Sequence, residues 1–394
     1  MKRAHKGATP KPTLTPKLRF PEFRDAPGWS VNTLSGACRM QAGQFVAASK
    51  IREQPTTGSF PCYGGNGLRG YTETFTHEGT YPLIGRQGAL CGNVKLGKGK
   101  FHATEHAVAA TPKQGIDIVW LYYVLNFLRL NQYATGQAQP GLSVDVLEKI
   151  PIAIPEQNAE QNKIADCLSS LDELIGAESQ KLTALKAHKK GIMQQLFPRE
   201  GETVPRLRFP EFRDAGEWEE CNISTFAKVT TGGRDTQNKA DCGLYPFFVR
   251  SQTVERIDTY SHNGEAILTS GDGVGVGKNY HYINGKFDFH QRVYCIYDFA
   301  ESVSGLFFYL YFSEHFGERV MRMSAKNSVD SVRMAMITEM PILLPSLDEQ
   351  KHIASCLSSL DNLIAAQSDK LDALKTHKKG LMQQLFPAPE EAKV

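Results

Sequence analysis

The sequence predicts an α+β chain built twice on one plan. Two mixed α/β domains are separated by two long helices, and the helices pair as an antiparallel coiled coil within a pseudo-twofold internal repeat. Three observations predict this. First, LRFPEFRDAPGW at Leu18 returns as LRFPEFRDAGEW at Leu207, and Ile164–Pro198 returns as Ile353–Pro387, both at an offset of 189 residues. In the longer match 27 of 35 positions are identical. Second, that longer segment carries apolar residues at alternating spacings of four and three, the seam of a coiled coil. Third, the stretches between the shared segments are dissimilar in the two copies and rich in short strand-like runs broken by glycine. A period this long, used only twice, excludes a solenoid.

The elements follow in order. Residues 1–16 (MKRAHKGATPKPTLTP) form a basic, Pro/Thr-rich tail with no apolar run behind it, unlike a secretory signal. The first domain spans 17–155 and the first helix 156–198. A linker occupies 199–205, the second domain 206–345, the second helix 346–387 and a short tail 388–394. Pro155 and Pro345 precede the helices, and Pro198 and Pro387 end them, because proline lacks the N–H that a helix interior needs.

The first seam is Ile164, Leu168, Leu171, Ile175, Leu182, Leu185, Ile192 and Leu196, with Glu178 and Lys189 at its two polar positions. The second is Ile353, Leu357, Leu360, Ile364, Leu371, Leu374, Leu381 and Leu385, with Gln367 and Lys378 in the matching places. Polar residues in such a seam fix register at some cost in stability. A helix of about 33 residues is roughly 48 Å long. That length corresponds to roughly 14 base pairs of duplex DNA. The aromatic runs IVWLYYVLNFL (118–128) and SGLFFYLYF (304–312) read as core helices of the two domains.

Composition sets the outer limits. Lys plus Arg is 45 against 42 Asp plus Glu, a net charge of +3, which excludes a histone-like or acidic-tail protein but not a locally basic surface. No apolar stretch is long enough for a transmembrane helix. The 8 cysteines include no CxxC pair, so reduced buried thiols are expected and a zinc ribbon is not.

Catalytic signatures are missing. There is no G-x-S-x-G, no H-E-x-x-H, and no H-x-E with P-C-x-x-C. The [DN]-P-P-[YF] run that holds an amine nitrogen in amino-methyltransferases is also absent. GDGVGVGKN (271–279) fails as a phosphate-binding loop, because Asn279 stands where Ser or Thr is required and a strand-like run follows. It reads as a glycine turn between strands.

Basic and amide side chains gather in such turns. In the first domain these are Arg69, Arg86, Gln87, Lys95, Lys98 and Lys100, and in the second Arg234, Arg250, Gln252, Lys278, Asn279, Tyr280, Lys286 and Arg292. Gln137 and Gln139, and Lys326 and Asn327, precede the helices at corresponding places. Arg and Lys suit guanine edges and phosphates, and Asn and Gln suit adenine, so the set points to nucleic acid. Each residue taken alone is equally well explained by surface solvation.

With these residues in view, the chain resembles the DNA-specificity subunits of type I restriction-modification systems. The likeness covers nearly the whole chain. It rests chiefly on IPIAIPEQNAEQNKIADCLSSLDELI and MPILLPSLDEQKHIASCLSSLDNLI, and also on YGGNGLRGY (63–71), IGRQGALCGNV (84–94) and QPGLSVDVLEKIPI (139–152). SAKNSVDSVRMAMITEMPI departs from the family pattern and weakens the contact role of Lys326 and Asn327. The resemblance implies two target-recognition domains reading a bipartite asymmetric site on double-stranded DNA. It implies a non-catalytic, cytoplasmic bacterial or archaeal subunit without cofactor or metal of its own. Its partners would be two modification subunits using S-adenosylmethionine and restriction subunits using ATP and Mg. The competing reading is a coiled-coil adaptor with two protein-binding domains that never touches DNA.

Overall fold

The computed structural model of the 394-residue chain describes residues 13–136, 140–323 and 331–388. Two compact units result. One runs to Ser179 and takes up the chain again from Asp369; the other is Gln180–Ser368. Each unit therefore owns one domain, the leading part of that domain's long helix, and the trailing part of the other long helix.

Both domains are built on a six-stranded sheet with the same order. In the first it runs Cys38–Ala42, Ala107–Pro112, His77–Gly85, Val94–Ala103, Phe60–Gly64, Gly67–Thr72. In the second it runs Lys228–Thr231, Val293–Tyr297, His262–Ser270, Tyr280–Phe289, Tyr245–Phe248, Val254–Ile257. The neighbours are antiparallel except one pair in each sheet, Tyr63↔Ala103 and Phe248↔Phe289, which is parallel. Strand alternation puts Leu83, Phe101 and Ala109 into one cluster and Ile84, Val94, Val108 and Ala110 into another.

The aromatic runs are helices, as expected. Ile118–Phe127 is capped by Asp117, whose Oδ1 accepts the Val119 and Trp120 N–H groups at 3.0 and 2.7 Å. Gly305–Met323 buries Phe307, Phe308, Phe312 and Phe316.

The long helices are Asn158–Leu196 and Leu347–Leu385. Every predicted seam residue is buried or half-buried. Leu174 and Leu363, which fall off the seam, are 42% and 56% exposed, so the heptad rather than mere hydrophobicity selects the inner face. In the first unit, Lys378 Nζ donates to both Asp172 oxygens at 2.6 and 2.7 Å and Lys370 donates to Glu178. Rising numbers on one helix meet falling numbers on the other, so the segments run antiparallel. In the second unit Met193 and Leu196 share a core with Ile353 and Leu357, and Lys189 pairs with Asp361 at 2.6 Å.

The shared lead and exit segments meet in a buried clamp. Arg19 Nε and Nη2 donate to the two Glu160 oxygens, each at 2.7 Å, and Arg208 does the same to Glu349 at 2.7 Å. Gln161 accepts the Asp117 N–H and Gln350 the Ser304 N–H, both at 2.8 Å. The Glu-Gln pair of each exit segment thus ties its helix to the lead segment and to the start of the domain helix. Leu18 N–H donates to Gln384 O at 3.0 Å and Leu207 N–H to Gln195 O at 2.9 Å. Phe386 packs edge-on to Trp29 at 6.3 Å, as Phe197 does to Phe307 at 5.7 Å.

Candidate nucleic-acid interface

In the first domain the glycine turns converge on one cleft of about 490 Å³, lined by Gly64 to Arg69, Gln87, Gly88 and His106. Closeness explains the glycines. A Cβ on Gly85 would sit 1.8 Å from Gly65 O, so the two turns touch backbone to backbone. Arg69 and Gln87 are exposed at this cleft. Lys95 joins them, because its stem lies against Gly67, which holds a φ of +93°.

Not every candidate of that domain gathers there. Lys98 and Lys100 lie further along the Val94–Ala103 strand, and Lys100 stands 4.9 Å over the Phe75 ring. Arg86 turns inward, and its backbone joins His106 O and Leu142 N–H. Among the described residues, the buried Arg86 Nε, Glu105 Oε2 and His106 Nδ1 have no hydrogen-bond partner, an unusual cluster of unmet polar atoms beside one cleft. His106 was invisible to the sequence reading, since one dispersed histidine carries no spacing signal.

In the second domain the corresponding turn is GDGVGVGKN, folded between His262–Ser270 and Tyr280–Phe289. Asp272 accepts from Arg250 Nη1 at 2.9 Å and from Arg292 Nη1 at 2.5 Å. Burial pushes the Asp272 carboxyl up, but the bonds and charges of the two arginines outweigh it and hold the carboxyl below its usual range. Gln252 Nε2 donates to Lys278 O at 2.9 Å, and the Lys278 side chain is exposed. These four candidates form one surface group.

Asn279 and Tyr280 do not join it. Asn279 is 8% exposed and donates to Arg250 O at 3.0 Å and Ser270 Oγ at 3.2 Å, so it braces the turn from within. Tyr280 packs edge-on to Phe312 at 5.7 Å, and burial raises its phenol above the usual range. Arg234 is committed to the buried Asp288 at 3.1 Å, and Lys286 lies 4.7 Å over the Tyr260 ring. Gln137, Gln139, Lys326 and Asn327 lie outside the described residues.

No group of metal-ligating side chains exists among the described residues, and none of their helices is long and apolar enough to cross a membrane. All eight cysteines are free thiols. Burial pushes Cys38 and Cys295 up to about 12, which leaves them unreactive.

One sheet topology thus occurs in both domains, each carrying its own charged or amide-lined turn cluster and each tied to a long helix. The chain belongs to the family described as Type I restriction modification DNA specificity domain, whose model matches residues 28–187 and 215–376. It is 46% identical over 146 residues to the type I restriction enzyme EcoprrI specificity subunit of Escherichia coli, a match spanning 37% of this chain and 36% of that protein. It is 25% identical over 328 residues to the MjaVIII specificity subunit of Methanocaldococcus jannaschii, with 76% of each chain covered. The fold resembles the crystal structure of a type I restriction-modification S subunit from M. genitalium, with TM-score 0.66, 16% identity, and 95% and 100% of the two chains covered. A second solved chain, from work on complex assembly and conformational transition of the type I R-M system, matches at TM-score 0.55 and 13% identity over 91% and 97%.

Proposed function

We propose that this chain is the non-catalytic reader of a type I restriction-modification complex. Each domain takes one half of a bipartite asymmetric site on double-stranded DNA, and the paired helices set the unread length between the halves. Two modification subunits, carrying S-adenosylmethionine, methylate adenine in the site. Restriction subunits working with ATP and Mg join them in the cytoplasm of a bacterial or archaeal cell. One observation carries this reading: the same strand order is built twice under dissimilar sequences, so one frame presents two different surfaces. A ruler with two unlike readers yields an asymmetric site.

The test is methylation by the chain assembled with its modification subunit. Methylated adenines should map to one two-part sequence, and duplex association should weaken steeply with salt. Adding about four residues to each long helix should lengthen the spacer and leave both half-sites unchanged. Absence of any duplex association would refute the reading in favour of a protein-binding adaptor.

A further inference from the structure

The backbone of the two turn clusters can be matched residue for residue. Arg86 N–H donates to His106 O, and Arg86 O accepts from Leu142; in the second domain Gly271 N–H donates to Arg292 O, and Gly271 O accepts from Val332. The next residues, Gln87 and Asp272, bridge to Gly141 and Ser331 in the same antiparallel sense. The single parallel pairs, Tyr63↔Ala103 and Phe248↔Phe289, fix the same alignment from the other side. Counting on from them places Gly65 with Arg250 and His106 with Arg292. Both routes assign His106 to Arg292.

Three positions on one frame therefore carry Gly65, Gln87 and His106 in one domain and Arg250, Asp272 and Arg292 in the other. We propose that these three positions set base preference, and that Arg250 and Arg292 give the second domain a guanine-reading fork. The inference rests on the DNA-reading role proposed above.

The geometry suits bases better than phosphates. Each guanidinium is tied to Asp272 through Nη1 alone, which leaves its other donors for a ligand among the described contacts. A guanine presents two acceptors, O6 and N7, to such a pair of donors. Asp272 fixes where the arginines point and offsets one of their two charges. In the first domain the exposed Gln87 amide offers one donor and one acceptor, the pattern that matches adenine N6 and N7. With glycine at the first position, where the second domain has Arg250, no fixed charge reaches that cleft from there.

The experiment uses the full chain assembled with its modification subunit and a duplex pool randomised across both half-sites, at one salt concentration. Bound DNA is sequenced. For wild type, two clusters of enriched bases are expected. Arg292→Ala and Arg250→Ala should each erase a guanine preference of about 5- to 150-fold at one position of one cluster. Gln87→Ala should erase an adenine preference in the other cluster only. Arg292→Lys keeps the charge but loses the planar fork, so it should lose the preference while overall affinity at fixed salt changes little. Unchanged base profiles in variants that melt like wild type would overturn the inference, as would a uniform loss across all sequences, which marks phosphate contact. A wild-type pool with no enriched cluster would instead refute the DNA-reading role itself.

Discussion

Removing the carboxylate of the buried clamp tests the fold's most distinctive long-range link. Glu160 is 1% exposed and accepts from Arg19 Nε and Nη2 at 2.7 Å and from Trp29 Nε1 at 3.1 Å. Glu349 is equally buried and accepts from Arg208 at 2.7 Å, but the Trp218 Nε1 has no partner among the described residues. Removing one partner of a buried ion pair costs about 3–5 kcal/mol, because the other charge is stranded. A hydrogen bond to a charged acceptor adds about 1.5–3 kcal/mol. Glu160→Ala should therefore destabilise its unit by about 1.5–3 kcal/mol more than Glu349→Ala destabilises the other. Native-state hydrogen exchange on the full chain reads each unit separately, through strands Trp29–Thr33 and Glu219–Asn222. The double variant Arg19→Met/Glu160→Leu should recover much of the loss, since no charge is then buried alone. An equal or larger cost for Glu349→Ala, or a cost under about 1 kcal/mol for both, would refute the reasoning.

Three further outcomes follow from the same structure. Leu168→Ala, at a fully buried seam position, should cost about 2–5 kcal/mol in urea denaturation, and Leu174→Ala, exposed on the same helix, less than about 0.5 kcal/mol. Lys375→Ala should cost less than about 1 kcal/mol, because both members of its ion pair with Asp372 are largely exposed. Burial lowers His77, His262, His281 and His290 below the usual histidine range. The unfolded chain then binds protons from about pH 6.5 downward while the folded chain resists until lower pH. Thermal stability should be level above about pH 7 and fall as pH drops from 6.5 toward the folded values. The second unit, which holds three of the four, should soften first; a melt that is flat from pH 7.5 to 5 would count against this.

The helices and their inner faces were legible because a heptad is a local pattern. Ile164 to Leu196 announces its inner face without reference to any other part of the chain. The Arg19–Glu160 clamp was not, although both of its segments recur, since a link across 141 residues leaves no spacing signal. The only hint was an arginine and a glutamate retained in both copies at equal separation. The common sheet was hidden for a different reason. Topology lives in backbone pairing, and two unlike sets of side chains satisfied it. Within the glycine turns, residue type alone could not tell the surface Lys278 from its inward neighbour Asn279, because which one faces solvent depends on the turn's handedness. Asp272 was not among the residues the sequence singled out, yet it is the group that holds Arg250 and Arg292.

The way the chain revisits its first unit has a consequence in time. Leu385 and Phe386 belong to the core that holds Trp29 and Trp120, and they are synthesised only after the whole of the second unit. The second unit, Gln180–Ser368, is one unbroken stretch and can close while synthesis continues. The domain made first is thus completed after the second, with its tryptophan face uncovered while the second unit is made. A stop codon at Leu385 would damage the first domain rather than the second.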